Sequence, residues 1–486
     1  MIRTLIRKEI QEKIYSTQFV IIILLCITLI PLGMFVSMKS FEKQQIGYME
    51  HTRQYLNRSQ QNVGHNFRAE GYRPPSALII FSEGLGDYLP FRVVTDRDKG
   101  YTVETALKQS NLISILFGRI DFTLIVTSFL SVLSIIFTFS CVTSEKESGT
   151  IRLVFSNSIQ RWKVATAKIL GNYILFCIPF FVSVIIGLLI LQSSPYISVF
   201  QPDFLWSFLL ICFTTLLLIL LLFNLGFFIS TVTSSSLTSV IILLFVWVFS
   251  AFFIPKVSPM IAQIVYPIDA EEVFETKKKT LIEDMEQEHN NKLKKLYEQK
   301  LSAYHVNIDE LNDLFDASTQ EARKEYDIEK TVLDIEFQER FQSEVSKFDK
   351  SYYDNQQTQY SISRKIARIS PISSYISLMS EVCHTGFSEI ENFRKQAAIL
   401  QLQVQEGVYS NWTKQRYAAG GRTTEGYFKK DKTLKEQEIP VPEFKYNQLE
   451  FKHVINYIWV DFLFIFFFCI LFFLLGFINF LRYDVR

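Results

Sequence analysis

The 486-residue sequence has no phosphate-cradling Gly-x-x-x-x-Gly-Lys-Ser/Thr loop, no His-Glu-x-x-His helix and no Gly-x-Ser-x-Gly elbow. Nucleotide hydrolysis by this chain, zinc proteolysis and esterase chemistry therefore lack their residues, and no enzyme activity is expected. Cysteine is scarce in polar sequence: Cys26, Cys141, Cys177, Cys212 and Cys469 fall in apolar runs, and only Cys383 does not. No disulfide is expected in the polar parts, and the redox compartment cannot be read from cysteine usage. Charge of either sign is low at 20%, with a net +1 and no basic-aromatic patch, so nothing points to nucleic acid. The histidines, His51, His65, His289, His305, His384 and His453, read as scattered surface residues rather than a ligand set. Cys383-His384 with Met379 nearby offers soft donors, yet the spacing matches no ligand motif, so no metal is assigned.

What is abundant is phenylalanine, 45 residues of it, and the apolar residues are concentrated. Six runs reach the length of about 20 residues that crosses a bilayer. They are Thr17–Ser37, Asp121–Thr143, Lys168–Leu191, Asp203–Ile229, Ser236–Pro255 and Val460–Leu481. The first is too long for a cleaved leader, and no small-x-small site follows it. Lys and Arg crowd the amino-terminal flank, the Ser144–Gly171 loop and the carboxy-terminal flank, which six crossings put on one side. That side is expected to be the cytosol, with both termini inside.

Residues 1–16 set Ile2, Leu5, Ile6, Ile10 and Ile14 on one helical face, the pattern of a helix lying in the membrane surface against anionic lipid. Residues 38–120 form an extracytoplasmic loop whose helical start gives way at Gly71 to a small, partly extended module. Arg119 and Asp121 mark the outer mouth of the second span, and Asp461, costly in lipid, should point inward or to the headgroups. Ser128, Ser131, Ser134, Asn172 and Asn224 suit close helix approach, either at a subunit seam or along a pathway. Pro179 is expected to kink the third span.

The longest polar stretch, 257–453, is also extracytoplasmic. Between 270 and 368, Ile282, Met285, His289, Leu293, Leu296 and Leu301 recur at three to five residues. Leu311, Phe315, Tyr326, Leu333, Phe337, Phe341, Val345, Phe348 and Tyr352 then form a second series. This predicts a coiled-coil-like hairpin with its turn near Asn307. Ala418–Lys435 reads as a flexible loop.

The remaining charged loop, SEKESGTIRLVFSNSIQRWKVATAKILG from Ser144 to Gly171, ends one helix at Gly149 and lets Thr150 cap a short one over Ile151–Phe155. With FGRIDF before it, this stretch resembles the permease subunits of type-2 ABC exporters. The nearer branch is the large-loop one of multicopper-enzyme maturation and gliding-motility permeases. Glu145, Glu147, Gly149, Thr150, Arg161, Lys168 and Gly171 match the family's coupling loop, while Ser158 and Ile159 replace its usual proline. The resemblance makes residues 1–16 an elbow helix with Glu9 at its acidic position, and leads from Ser370-Pro371 to an amphipathic helix on the outer membrane surface.

The expected fold is thus an all-α polytopic membrane protein. It has an elbow helix (1–16), span one (17–37), the outer module (38–120), span two (121–143), a cytosolic coupling loop (144–167) and spans three to five (168–256). The outer hairpin domain (257–453) and span six with its cytosolic tail (454–486) complete it. The resemblance implies a permease in a bacterial inner membrane, paired with ABC ATPase subunits and a second permease, itself or a paralogue. ATP and Mg would reside on the ATPases, with no cofactor on this chain. Membrane lipid and an outer protein bound through the hairpin are further partners. The alternative is a membrane-anchored scaffold without transport.

Overall fold

The computed structural model describes residues 2–61, 68–96, 100–105, 120–156, 159–303, 317–420 and 443–483. By internal contacts the chain forms two units, one of 1–97, 101–258 and 364–486, the other of 98–100 and 259–363. Among the described residues, six helices are long and apolar enough to cross a membrane, as expected.

The chain begins with α1 (Ile2–Ile14), which turns at Ser16 into α2 (Thr17–Gln61), span one. The Ser16 hydroxyl makes the corner, donating to Lys13 O at 2.7 Å and accepting from Phe19 N at 3.3 Å. Span two, α3, runs through Phe122–Leu124, a π-helical stretch Ile125–Leu130, and Ser131–Thr138. Two short helices, α4 (Thr143–Glu147) and α5 (Thr150–Ser156), lead to α6 (Arg161–Gln192), α7 (Pro202–Val232) and α8 (Ser236–Val265). Beyond them lie α9 (Glu271–Ala303), α10 (Ala317–Ala367), α11 (Pro371–Val382), α12 (Phe387–Gly420) and span six, α13 (Phe451–Arg482). Helices overrun their apolar runs. Thus α2 continues to Gln61 because EKQQ and its successors are good helix formers.

In the first unit α1 and α2 pack on α6, and α3 and α13 pack on α7. Phenylalanine supplies much of the filling: Phe137, Phe176 and Phe223, one from each of α3, α6 and α7, meet at centroid distances of 5.4 to 6.3 Å. Tilted and edge-on contacts at that distance combine large buried area with favourable ring electrostatics. The polar span residues bond within the chain. Trp247 Nε1 of α8 donates to Ser131 Oγ at 2.7 Å, and Asn224 Nδ2 of α7 donates to Cys469 O of α13 at 3.1 Å.

The first loop adds strands β1 (Arg68–Tyr72), β2 (Pro90–Asp96) and β3 (Gly100–Thr105), in that spatial order, with β1 antiparallel to β2 and Arg68 opposite Asp96. The extended part therefore starts ahead of Gly71. Ala69 and Val93 share a core with Phe393, Ala397, Leu400 and Val404 of α12, so the two long loops fold together. Phe81 sits among Phe122, Phe204 and Phe208.

The helix expected to lie flat on the membrane, α11, is instead buried on both faces and packs on α13 and α7. Its polar side consists mainly of serines and one tyrosine, small groups of which the tyrosine and the capping Ser370 are bonded within the chain. Tyr375 Oη lies 2.9 Å from Thr215 Oγ1, and Ser370 Oγ donates to Ser250 O at 2.7 Å. Cys383 and His384, at its end, are buried as well, which corrects the reading of that histidine as a surface residue.

In the second unit α9 and α10 pack as a hairpin; its turn near Asn307, with Leu311 and Phe315, lies outside the described residues. Met285, Phe341 and Val345 form the seam with Leu281, Ile282 and Phe337, and Phe274 stacks on Phe348 and Tyr352. Ion pairs set the register: Lys278 to Asp349 at 2.9 Å, Glu288 to Arg340 at 2.9 Å, and Lys300 to Glu325 and Glu329. The first pair is buried. Asp349→Ala leaves Lys278 enclosed without its partner and is expected to cost the hairpin ~3–5 kcal/mol, seen as faster proteolysis within 260–363. Lys278→Met/Asp349→Leu should restore resistance. Equal proteolysis of Asp349→Ala and the unmodified chain would remove this pair from the account.

Candidate functional site

At the end of the bundle where α1, α4, α5 and the carboxy terminus of α13 meet, charge is organised around one buried lysine. Lys168, in the second turn of α6, is only 3% exposed. Its ammonium lies 2.7 Å from Glu145 Oε1 of α4 and 3.2 Å from Glu9 Oε1 of α1. A buried lysine needs compensating charge, and two carboxylates from different elements provide it. The approach of α1 depends on Gly171 one turn later, where a Cβ would stand 2.9 Å from Glu9 Cβ. Elbow, loop and third span are thereby held at one point.

The surrounding cations satisfy helix ends. The last carbonyls of a helix have no partner within it and attract positive charge. Lys13 Nζ donates to Phe137 O at the end of α3 (3.0 Å). Lys146 Nζ donates to Thr231 O (2.6 Å) and Thr233 O (2.8 Å) at the end of α7. Arg161 Nη1 donates to Leu481 O (2.7 Å) and Tyr483 O (3.1 Å) at the end of α13. Glu147 does the reverse, accepting from Ser236 N at the start of α8 at 2.7 Å.

Between α4 and α5, Gly149 takes φ +71°, the left-handed conformation the sequence called for. Thr150 is the first helical residue rather than the cap: Gly149 O accepts from Arg152 N at 3.3 Å, and Ser148 Oγ lies 2.8 Å from Thr150 Oγ1. Ile151 anchors α5 in a core with Val142, Val164 and Phe480, while Arg152 is exposed and Leu153 is 67% exposed. Ser158, at the break, lies outside the described residues.

At the other end, Asp121 caps α3, accepting from Leu124 N at 2.7 Å and from Glu83 N at 2.8 Å. Arg119 lies outside the described residues. Asp461 is fully buried, bonded to Arg364 Nε at 2.9 Å and Arg368 Nε at 2.6 Å. Arg364 also donates to Tyr457 O at 2.8 Å and faces Glu381 at 3.5 Å. Burial pushes the Glu381 carboxyl above the usual range, and Arg364 and the Ser388 hydroxyl draw it back down. Asp121 and Asp461 thus serve separate partner sets. Sequence reasoning missed Lys13, Lys146, Arg364 and Arg368. A signal existed for each pair: an uncharged turn between two spans leaves helix ends to be capped from elsewhere, and an acid inside a span requires a cation.

Lys168→Met leaves Glu9 and Glu145 facing each other, and is expected to lower the unfolding temperature in detergent by several degrees; Lys168→Met with Glu9→Gln and Glu145→Gln should regain most of it. Asp461→Asn removes the buried charge that Arg364 and Arg368 share and is expected to cost ~3 kcal/mol, read by thermal unfolding. An unchanged midpoint for Asp461→Asn would mean that water or lipid already neutralises those arginines.

The sequence model of one protein family, described as ABC-2 family transporter protein, matches residues 3–485. A search of curated proteins finds no match.

Proposed function

The chain belongs to the ABC-2 family of transporter proteins, as the membrane-spanning permease component of an ABC transporter, and we propose that its α4–α5 loop receives the stroke of a separate ATPase. The family implies that ATPase and typically a second permease. On this reading the end holding Lys168 faces the cytosol of a bacterial cell, as the clustering of Lys and Arg on that side supports. ATP and Mg stay on the ATPase. The permease turns its partner's cycle into export or into work on the outer side, and its long loops support the large-loop branch it resembles.

One observation carries the proposal. Among the described side chains of helix α5, Ile151 is fixed in a core and Arg152 and Leu153 are exposed, while α4 just before it is tied to Lys168 and to the ends of α7 and α8. An exposed leucine beside an arginine on a short, braced helix suits a protein partner better than lipid. A loop made only to hold cations among headgroups would not need its base bonded to several helices.

Leu153→Asp removes that apolar contact without touching the core, so the unfolding temperature should stay the same. Co-purification of the ATPase with the tagged permease in mild detergent is expected to fall at least about tenfold, the loss of ~1.4 kcal/mol or more that an interface anchor carries. Full retention of the ATPase by Leu153→Asp would place its dock elsewhere.

A further inference from the structure

The turn Thr233–Ser235 joins the carboxy terminus of one apolar helix, α7, to the amino terminus of another, α8, without a charged residue of its own. Both ends are completed by adjacent residues of α4. Lys146 reaches Thr231 O at 2.6 Å, Thr233 O at 2.8 Å and Ser230 O at 3.3 Å. Glu147 accepts from Ser236 N at 2.7 Å through Oε1, and from Ser236 Oγ at 2.8 Å through Oε2. The signs are those that the two helix dipoles require, a cation at the carboxy end and an anion at the amino end. The contact is reciprocal, because Ser230 Oγ of α7 accepts from Val142 N at 2.8 Å and Thr143 N at 3.1 Å, where α4 starts.

From this we infer that Lys146 and Glu147 are the positioning pair that passes displacement of the coupling loop to spans four and five, a role resting on the reading of α5 as the ATPase dock. Helix α4 is bonded along its length: its first amides to α7, its last two side chains to the α7 and α8 ends. A push on α5 reaches α4 across the single Ser148–Gly149 joint and moves that turn with it. Span five is the less enclosed of the two. Only 11% of its most apolar stretch is buried within the protein, against 67% for span four. Its side-chain bond to a neighbouring span at Trp247, to Ser131 of α3, lies ~16 Å along the helix from Ser236 at ~1.5 Å per residue. The π-helical stretch Phe249–Phe253 follows directly, a place where helix register yields. The clamp and the Trp247–Ser131 bond thus bound a lever of three turns.

The test uses amide hydrogen exchange on Lys146→Met, Lys146→Arg and Glu147→Gln. In the full-length permease alone, in lipid nanodiscs, Lys146→Met and Glu147→Gln are expected to speed exchange at Ser236 and along 230–238 by about fivefold, with residues 162–172 unchanged. In the complex with its ATPase, trapped with ATP and vanadate, the unmodified chain should show nucleotide-dependent change over 236–248. Lys146→Met should lose that change while keeping the ATPase bound, and Lys146→Arg should restore it. Unaltered exchange at 230–238 in the permease alone overturns the clamp, whatever the fate of the ATPase. A full nucleotide response in Lys146→Met overturns its part in transmission. Failure of the unmodified permease to retain any ATPase is a separate result, which counts against the docking reading and leaves the first arm to decide the clamp.

Discussion

Every helix leaves its last carbonyls without an internal partner, and where spans end inside packed protein near a membrane, water is a poor remedy. The structure answers with cations. Lys13, Lys146 and Arg161 each reach back to the carboxy end of a different span, those of α3, α7 and α13. One such bond contributes only ~0.3–1 kcal/mol, up to ~2 where partly buried. An enclosed carbonyl left unmet costs ~1–3 kcal/mol. The cations matter more for what their absence would cost than for any attraction they add. Positive charge that would otherwise be assigned to lipid headgroups is partly structural, and it ties the loop carrying α5 to the ends of the spans.

The opposite end obeys the same rule with the sign reversed. An isolated carboxylate in a span is expensive, and Asp461 is tolerated because Arg364, in the last turn of α10, and Arg368, just past its end, both meet it. Arg364 is shared with Glu381, so α11 joins the same network. That sharing explains why α11 is enclosed rather than laid on a surface. Its one carboxylate already has an arginine and a serine hydroxyl, and Ser370 at its cap and Ser380 near its end bond to backbone.

How much of this could be read from the sequence follows from the range of each interaction. The spans were legible because hydropathy over about 20 residues is a local property, and the hairpin arms because their seam recurs along each arm. Glu145, Lys168 and Glu9 were named through family resemblance, but that they meet at one ammonium was not legible: Glu9 and Lys168 are 159 positions apart. The π-helical stretches in α3 and α8 left no mark, since one extra residue per turn hardly alters an already uniform apolar run. The placement of α11 was misjudged because an apolar face opposite serines describes a surface helix and an enclosed one equally well. Only the number of neighbours decides, and that is set by the rest of the chain.

The bonds at the Lys168 end are not alike, and the difference bears on how a push would travel. Lys168 is enclosed and its carboxylates are partly buried, a setting where charges interact more strongly than in water and where removing the lysine leaves two carboxylates facing each other. Such a group holds together or fails as a whole, so elbow, α4 and span three should move as one body. Lys146 is only partly enclosed and Glu147 is exposed. Their bonds to the α7–α8 turn compete with water and can break and re-form without stranding a buried charge. On the proposed role of α5, a rigid joint on one side of the loop and an exchangeable one on the other would let the turn follow a stroke and then reset. Two rigid joints would lock the end of the bundle, and two weak ones would let the loop move without the spans.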